Sequence, residues 1–80
     1  MGKIENLRQT ILDARSDANI DFTDLRNFLK AIGFEERIKG SHHSFRKSGV
    51  FEKPNLQRDG SKAKSYQVRQ VRAILNKYGL

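Results

Sequence analysis

Both histidines of the 80-residue chain stand side by side in Gly40-Ser41-His42-His43-Ser44-Phe45-Arg46, behind a Gly-Ser pair and ahead of an aromatic residue, with Lys39, Arg46 and Lys47 around them. Histidine is the side chain whose unperturbed pKa, about 6.5, permits proton exchange near neutral pH, so an acid–base activity of this protein belongs here. No other stretch concentrates titratable and basic groups in this way. An imidazole on an open polar face, ringed by Lys39, Arg46 and Lys47 and within reach of Lys62 or Lys64, is a minimal arrangement for cutting RNA. Such cleavage needs a proton taken from the ribose 2′-hydroxyl or given to the leaving oxygen, and cations that stabilise the charge gathering on the phosphate. That route requires no metal and no other cofactor, and none is expected.

Two strands must present these residues. A strand from about Ser41 to Lys47 puts Ser41, His43 and Phe45 on one face and His42, Ser44 and Arg46 on the other. Phe45 marks the buried side, so His42 shares an open face with a serine and an arginine, and His43 is expected inside as a hydrogen-bonded, partly buried histidine. Lys39-Gly40 reads as the tight turn from a preceding strand, Phe34 to Lys39, in which Phe34, Glu36 and Ile38 alternate with Glu35, Arg37 and Lys39. A third strand is expected within Val50 to Gln57, at an edge or with an irregular approach because of Pro54. Gln57 to Ser65 then reads as a basic, mobile loop.

Helices must cover the buried side. From Lys3 to Arg15, Ile4, Leu7, Ile11, Leu12 and Ala14 recur at helical spacing, followed by a polar connector, Ser16 to Asn19, in which Asn19 suits a left-handed conformation. Asp21 reads as the N-cap of a second helix whose stripe is Phe22, Leu25, Phe28, Leu29 and Ile32, with Arg26, Asn27 and Lys30 outside it and Gly33 closing it. Ser65 is expected to cap a last helix, Tyr66 to Tyr78, with Val68, Val71, Ile74, Leu75 and Tyr78 as core and Arg69, Arg72 and Asn76 on a flank. Its first backbone amides, near Lys62 and Lys64, offer a further anion site. Arg69 and Arg72 bind phosphate or form a solvated face; Tyr66 stacks on a base or packs at the helix start. The order helix, helix, three strands, helix predicts an α+β fold in one domain spanning residues 1–80, an antiparallel sheet with helices on one face.

Charge narrows the partners. The net +7 is uneven: residues 1–36 carry five basic and seven acidic side chains, net −2, and residues 37–80 carry eleven basic and two acidic, net +9. The histidines lie in the basic half, whose field favours a polyanion, nucleic acid above all. The same charge could instead form a solvated face or meet an acidic protein. Absence of cysteine excludes disulfides, a thiolate nucleophile and cysteine-ligated metal, and two histidines without a carboxylate cluster make a poor metal site. No apolar run approaches a membrane span and no signal-peptide core opens the chain, so a soluble cytoplasmic protein is expected.

With these residues in view the chain resembles the HicA toxins, the RNA-cleaving half of HicA/HicB toxin–antitoxin modules. The resemblance rests on Gly33-Phe34 at the end of the second helix, on Lys39 to Arg46 with its Gly-Ser-His core, on Asn55-Leu56-Gln57, and on Gly60 to Arg72 leading into the final helix. It spans residues 20–80, with residues 1–19 as an additional helix and connector. It implies a fold similar to the double-stranded RNA-binding domain, metal-independent cleavage of mRNA, and His42 as the essential histidine, acting as acid or base. Lys39, Ser41, Arg46, Lys47, Lys62, Lys64, Arg69 and Arg72 are the expected RNA contacts. It also implies a HicB-type antitoxin that covers the active face, with operator DNA bound only through the complex. Ser65 stands where this subgroup carries proline, and the region around Asn55-Leu56-Gln57 departs from the commoner form of the family. The alternative is a non-catalytic module that binds duplex RNA with the same basic face.

Overall fold

The computed structural model describes residues 2–80 and has the expected α+β architecture. Helix α1 spans Gly2–Asp13, a 3-10 turn covers Asp17–Asn19, and α2 spans Phe22–Ala31. Strands β1 (Glu35–Lys39), β2 (His42–Arg46) and β3 (Asn55–Leu56) form one antiparallel sheet in that order. A separate hairpin, β4 (Arg58–Asp59) and β5 (Lys62–Ala63), leads into α3, Ser65–Tyr78. Among the described residues no helix is long and apolar enough to cross a membrane.

The second helix follows its sequence signals closely. The Asp21 carboxylate accepts from the Asp24 backbone N–H at 2.9 Å, which satisfies one of the orphan amides of the first turn. Phe22, Leu25, Phe28 and Leu29 are buried as one face. At the other end Gly33 adopts φ +108°, the Gly33 N–H donates to the Lys30 carbonyl and the Phe34 N–H to the Leu29 carbonyl, the paired bonds of a left-handed helix ending. This reverses the chain into β1.

Helix α1 is shorter than expected. It ends at Asp13, and Ala14, expected in its apolar stripe, is exposed at φ +60°, where an alanine is strained. The left-handed residue of this connection is thus Ala14, while Asn19 closes a 3-10 turn. Ile11 is the buried anchor of α1, and Ile4, Leu7 and Leu12 pack beside it against the core shared with α2, α3 and the sheet.

The sheet shows the predicted alternation. His43 and Phe45 point toward the helices, while His42, Ser44 and Arg46 are exposed. β1 pairs with β2 so that Lys39 faces His42, Ile38 faces His43, Arg37 faces Ser44, Glu36 faces Phe45 and Glu35 faces Arg46. The turn between them is Gly40-Ser41, one residue later than expected, with Gly40 at φ +60° as a two-residue hairpin turn demands. Ile38 lies on the inner side yet is 54% exposed, at the free edge of the sheet.

The third strand falls within Val50 to Gln57 at an edge of the sheet, as expected, and two other places differ from the sequence reading. The third strand is only Asn55–Leu56, because Pro54, itself buried, has no N–H for the ladder and contributes its carbonyl to the Phe45 N–H at 2.9 Å instead. Residues 57–65 are not a loop: β4 and β5 pair Arg58 with Ala63 and Asp59 with Lys62. This hairpin is stitched to the start of α2, where the Phe22 N–H donates to the Ser61 carbonyl at 3.0 Å and the Ala63 N–H to the Ile20 carbonyl at 2.9 Å. Ser65 likewise is not the cap of α3. Lys64 occupies that place without a side-chain bond, and Ser65 is the first helical residue.

Candidate functional site

Pairing across the sheet determines what surrounds His42. Directly opposite residues share a face, so the outer surface carries Glu35, Arg37 and Lys39 from β1, Arg46, Ser44 and His42 from β2, and Asn55 from β3, all exposed. Beside His42, just past the end of β3, the Gln57 side-chain amide sits 3.4 Å from its Nε2. Arg37, Lys39 and Arg46 give this surface a positive balance, offset in part where Glu35 approaches Arg46 at 3.7 Å. The imidazole is therefore open to solvent, beside an amide and among cations, where a phosphodiester could reach it.

The inner side of the same strand is organised around Glu36. Its carboxylate accepts two hydrogen bonds from the Arg26 guanidinium, one of 2.9 Å, lies 3.5 Å from the Lys30 ammonium, and meets His43 Nδ1 at 2.9 Å. The Arg26 bonds hold the Glu36 pKa down at about 2, against the opposing effect of burial and with help from His43 and Lys30. Glu36 is thus an ionised, acceptor-only group, and His43 Nδ1 must carry the proton between them. The His43 ring also meets Phe22 edge to face, centroids 5.0 Å apart.

The expected RNA contacts separate into groups. Lys39 faces His42 on the outer face and Ser41 lies in the turn just before it, whereas Arg46, expected beside His42, stands at the opposite end of β2, opposite Glu35. Ser41 and Lys64 come together in a cavity of about 280 Å³, which they line with Gly40, His43, Gln57 and Arg58. Lys62, in β5, is half-buried beside Asp21, to whose backbone it is bridged. Lys47 is at the far end of β2, its ammonium lying where a β-carbon on Gly33 would be. Arg69 is exposed on α3. Arg72 needs correction as a free cation: its guanidinium is bonded to both Asp17 oxygens at 2.8 and 3.0 Å and to the Ile11 carbonyl at 3.0 Å, tying α3 to the end of α1. These bonds lower the Asp17 pKa.

Four residues of this region escaped the sequence reading. Arg37 was legible from the period that exposes Lys39, two residues on. Glu36 carried a faint signal, a carboxylate at an inward position of a strand. Gln57 stood in the Asn55-Leu56-Gln57 motif with no role of its own, and Arg58 carried no signal, because it lies where the sequence shows no periodicity. Compared with protein-family models, curated proteins and solved structures, the chain has no match in any of the three.

Proposed function

We propose that this protein is a metal-independent endoribonuclease, the mRNA-cleaving toxin of a HicA/HicB-like toxin–antitoxin pair. The observation that carries the reading is the placement of His42, the histidine of the Gly-Ser-His core, on the open, cationic face of the sheet. Its imidazole exchanges a proton with the ribose 2′-hydroxyl or with the leaving oxygen. Lys39, with Arg37 beside it, stabilises the charge on the reacting phosphate, and Arg46, at the other end of the strand, holds a neighbouring one. Lys62, Lys64 and Arg69 hold the strand by its phosphates. The protein partner is an antitoxin of HicB type that covers this basic face, operator DNA is bound only through that complex, and the compartment is the cytoplasm.

The test is a gel of single-stranded and duplex RNA incubated in EDTA with the protein and with its His42→Ala form. Cleavage by the first and not by the second is expected. Equal cleavage by both would remove His42 from the chemistry, and intact RNA with a shifted duplex would make the same face a duplex-binding module instead. His42 is exposed and, among the described residues, its side chain has Gln57 as its one hydrogen-bond partner, so its loss should change stability by less than about 0.5 kcal/mol, which keeps the comparison clean.

A further inference from the structure

His43 turns away from the open face, yet its ring is not sealed in. Nδ1 is held by Glu36, while Nε2 has no protein partner among the described residues, and His43 is one of the residues lining the cavity between the β1–β2 turn and the β4–β5 hairpin. The other walls are Gly40, Ser41, Gln57, Arg58 and Lys64: two cations, a hydroxyl, an amide, and no carboxylate. Phe22 fixes two of these groups at once. The Arg58 guanidinium lies over its ring, 4.7 Å from the centroid, and His43 meets the same ring edge-on. Such a cavity is organised before any ligand arrives.

The hydrogen-bond inventory gives it a condition. Because ionised Glu36 only accepts, Nδ1–H is committed to it, and neutral His43 offers at Nε2 a lone pair that repels an anion. Only the imidazolium carries a second N–H, at Nε2, that an anion could accept. The charged groups packed around the pair are Arg26 and Lys30 of α2, Glu36 of β1, Arg58 of β4 and Lys64 ahead of α3.

We propose that this cavity binds a phosphodiester group of a nucleic-acid strand, with Arg58, Lys64 and doubly protonated His43 as its contacts, and that binding strengthens as His43 takes up its proton. The choice of ligand rests on the ribonuclease reading. Gln57 links the two places, because its amide reaches His42 and its body lines the cavity, so a strand lying across His42 brings a neighbouring phosphate here. The cavity is then a subsite beside the reacting centre.

The experiment uses the His42→Ala chain, in which His43 is the one histidine, and the 2′-deoxy tetranucleotide of thymidine, which cannot be cleaved by a 2′-hydroxyl route and does not titrate in the range used. NMR titrations are run at about pH 5.5 and about pH 8, with the His43 ring resonances reporting its charge at each. The His43 ring resonances should shift, affinity should be roughly tenfold higher at the lower pH, and Arg58→Gln should weaken binding several-fold at both. Adding His43→Gln should abolish the pH dependence. Where that variant fails to fold, the His43 shifts and the Arg58→Gln result decide. Shifts confined to the outer face with His43 unmoved, or affinity independent of pH, would overturn the proposal. No bond is cut in this assay, so a protein that fails to cleave RNA leaves the cavity standing, and cleavage without His43 shifts sinks the cavity alone.

Discussion

Consecutive and chemically identical, His42 and His43 differ in everything the fold adds. The outer ring has one long contact to an amide and faces the exposed Lys39 across the sheet; the inner ring is aligned by a carboxylate that is itself clamped by Arg26 and Lys30. A strand converts a step of one residue into a change of environment, because successive side chains point to opposite faces. Chemistry that needs access belongs to His42, and chemistry that needs a fixed tautomer belongs to His43. The same division runs along the strand pair, with Arg37 and Ser44 loosely held outside and Glu36 and Phe45 packed inside.

The largest expected effect breaks this contrast by function. His42→Ala should lower RNA cleavage by about two to four orders of magnitude, the usual contribution of a general acid or base, with an unchanged urea midpoint. By stability the order reverses. Glu36→Ala should cost roughly 3 kcal/mol, since Glu36 is 7% exposed and its removal leaves Arg26 facing the interior without a partner; urea unfolding followed by circular dichroism measures this.

Acid should probe the same group without mutation. The Glu36 pKa is about 2 in the folded protein against an ordinary 4.5, so its contribution is complete above the ordinary value and lost as pH falls toward 2. On the order of 2 kcal/mol should vanish over that interval, and the loss should be absent in Glu36→Gln. A smaller effect belongs to the outer face: Arg37→Gln should weaken RNA binding a few-fold for every sequence and lower the salt slope by about 1. Smallest of all, Ser44→Ala should leave stability within about 0.5 kcal/mol, the mark of an outward position.

Much of this was legible because it is local. Asp21, the Phe22 to Ile32 stripe and Gly33 lie within one helix and name its two ends, and Phe45 alone was enough to orient β2 and expose His42. What could not be read joins distant parts of the chain. Arg26 and Glu36 meet across ten residues and Arg72 and Asp17 across fifty-five, and each pair converts what reads as a solvated charge into a tie between elements. The β4–β5 hairpin was invisible for another reason: two strands of two residues each are too short to show a period, and their order comes from the backbone of Ile20 to Phe22. The outer face of the candidate site was therefore readable and its inner cavity was not, since Arg58 and Gln57 stand in that hairpin region.

That hairpin also bears on how fast and how firmly a strand of RNA could be held. Fixing the backbone of a flexible residue costs about 1–2 kcal/mol, and a basic loop would meet that cost for each residue ordered at the moment of contact. Here Arg58, Lys62 and Lys64 are set in place when α2 docks its first turn against Ser61 and Ala63. Their backbone is ordered before any ligand is met, so an encounter need not wait for the segment to close.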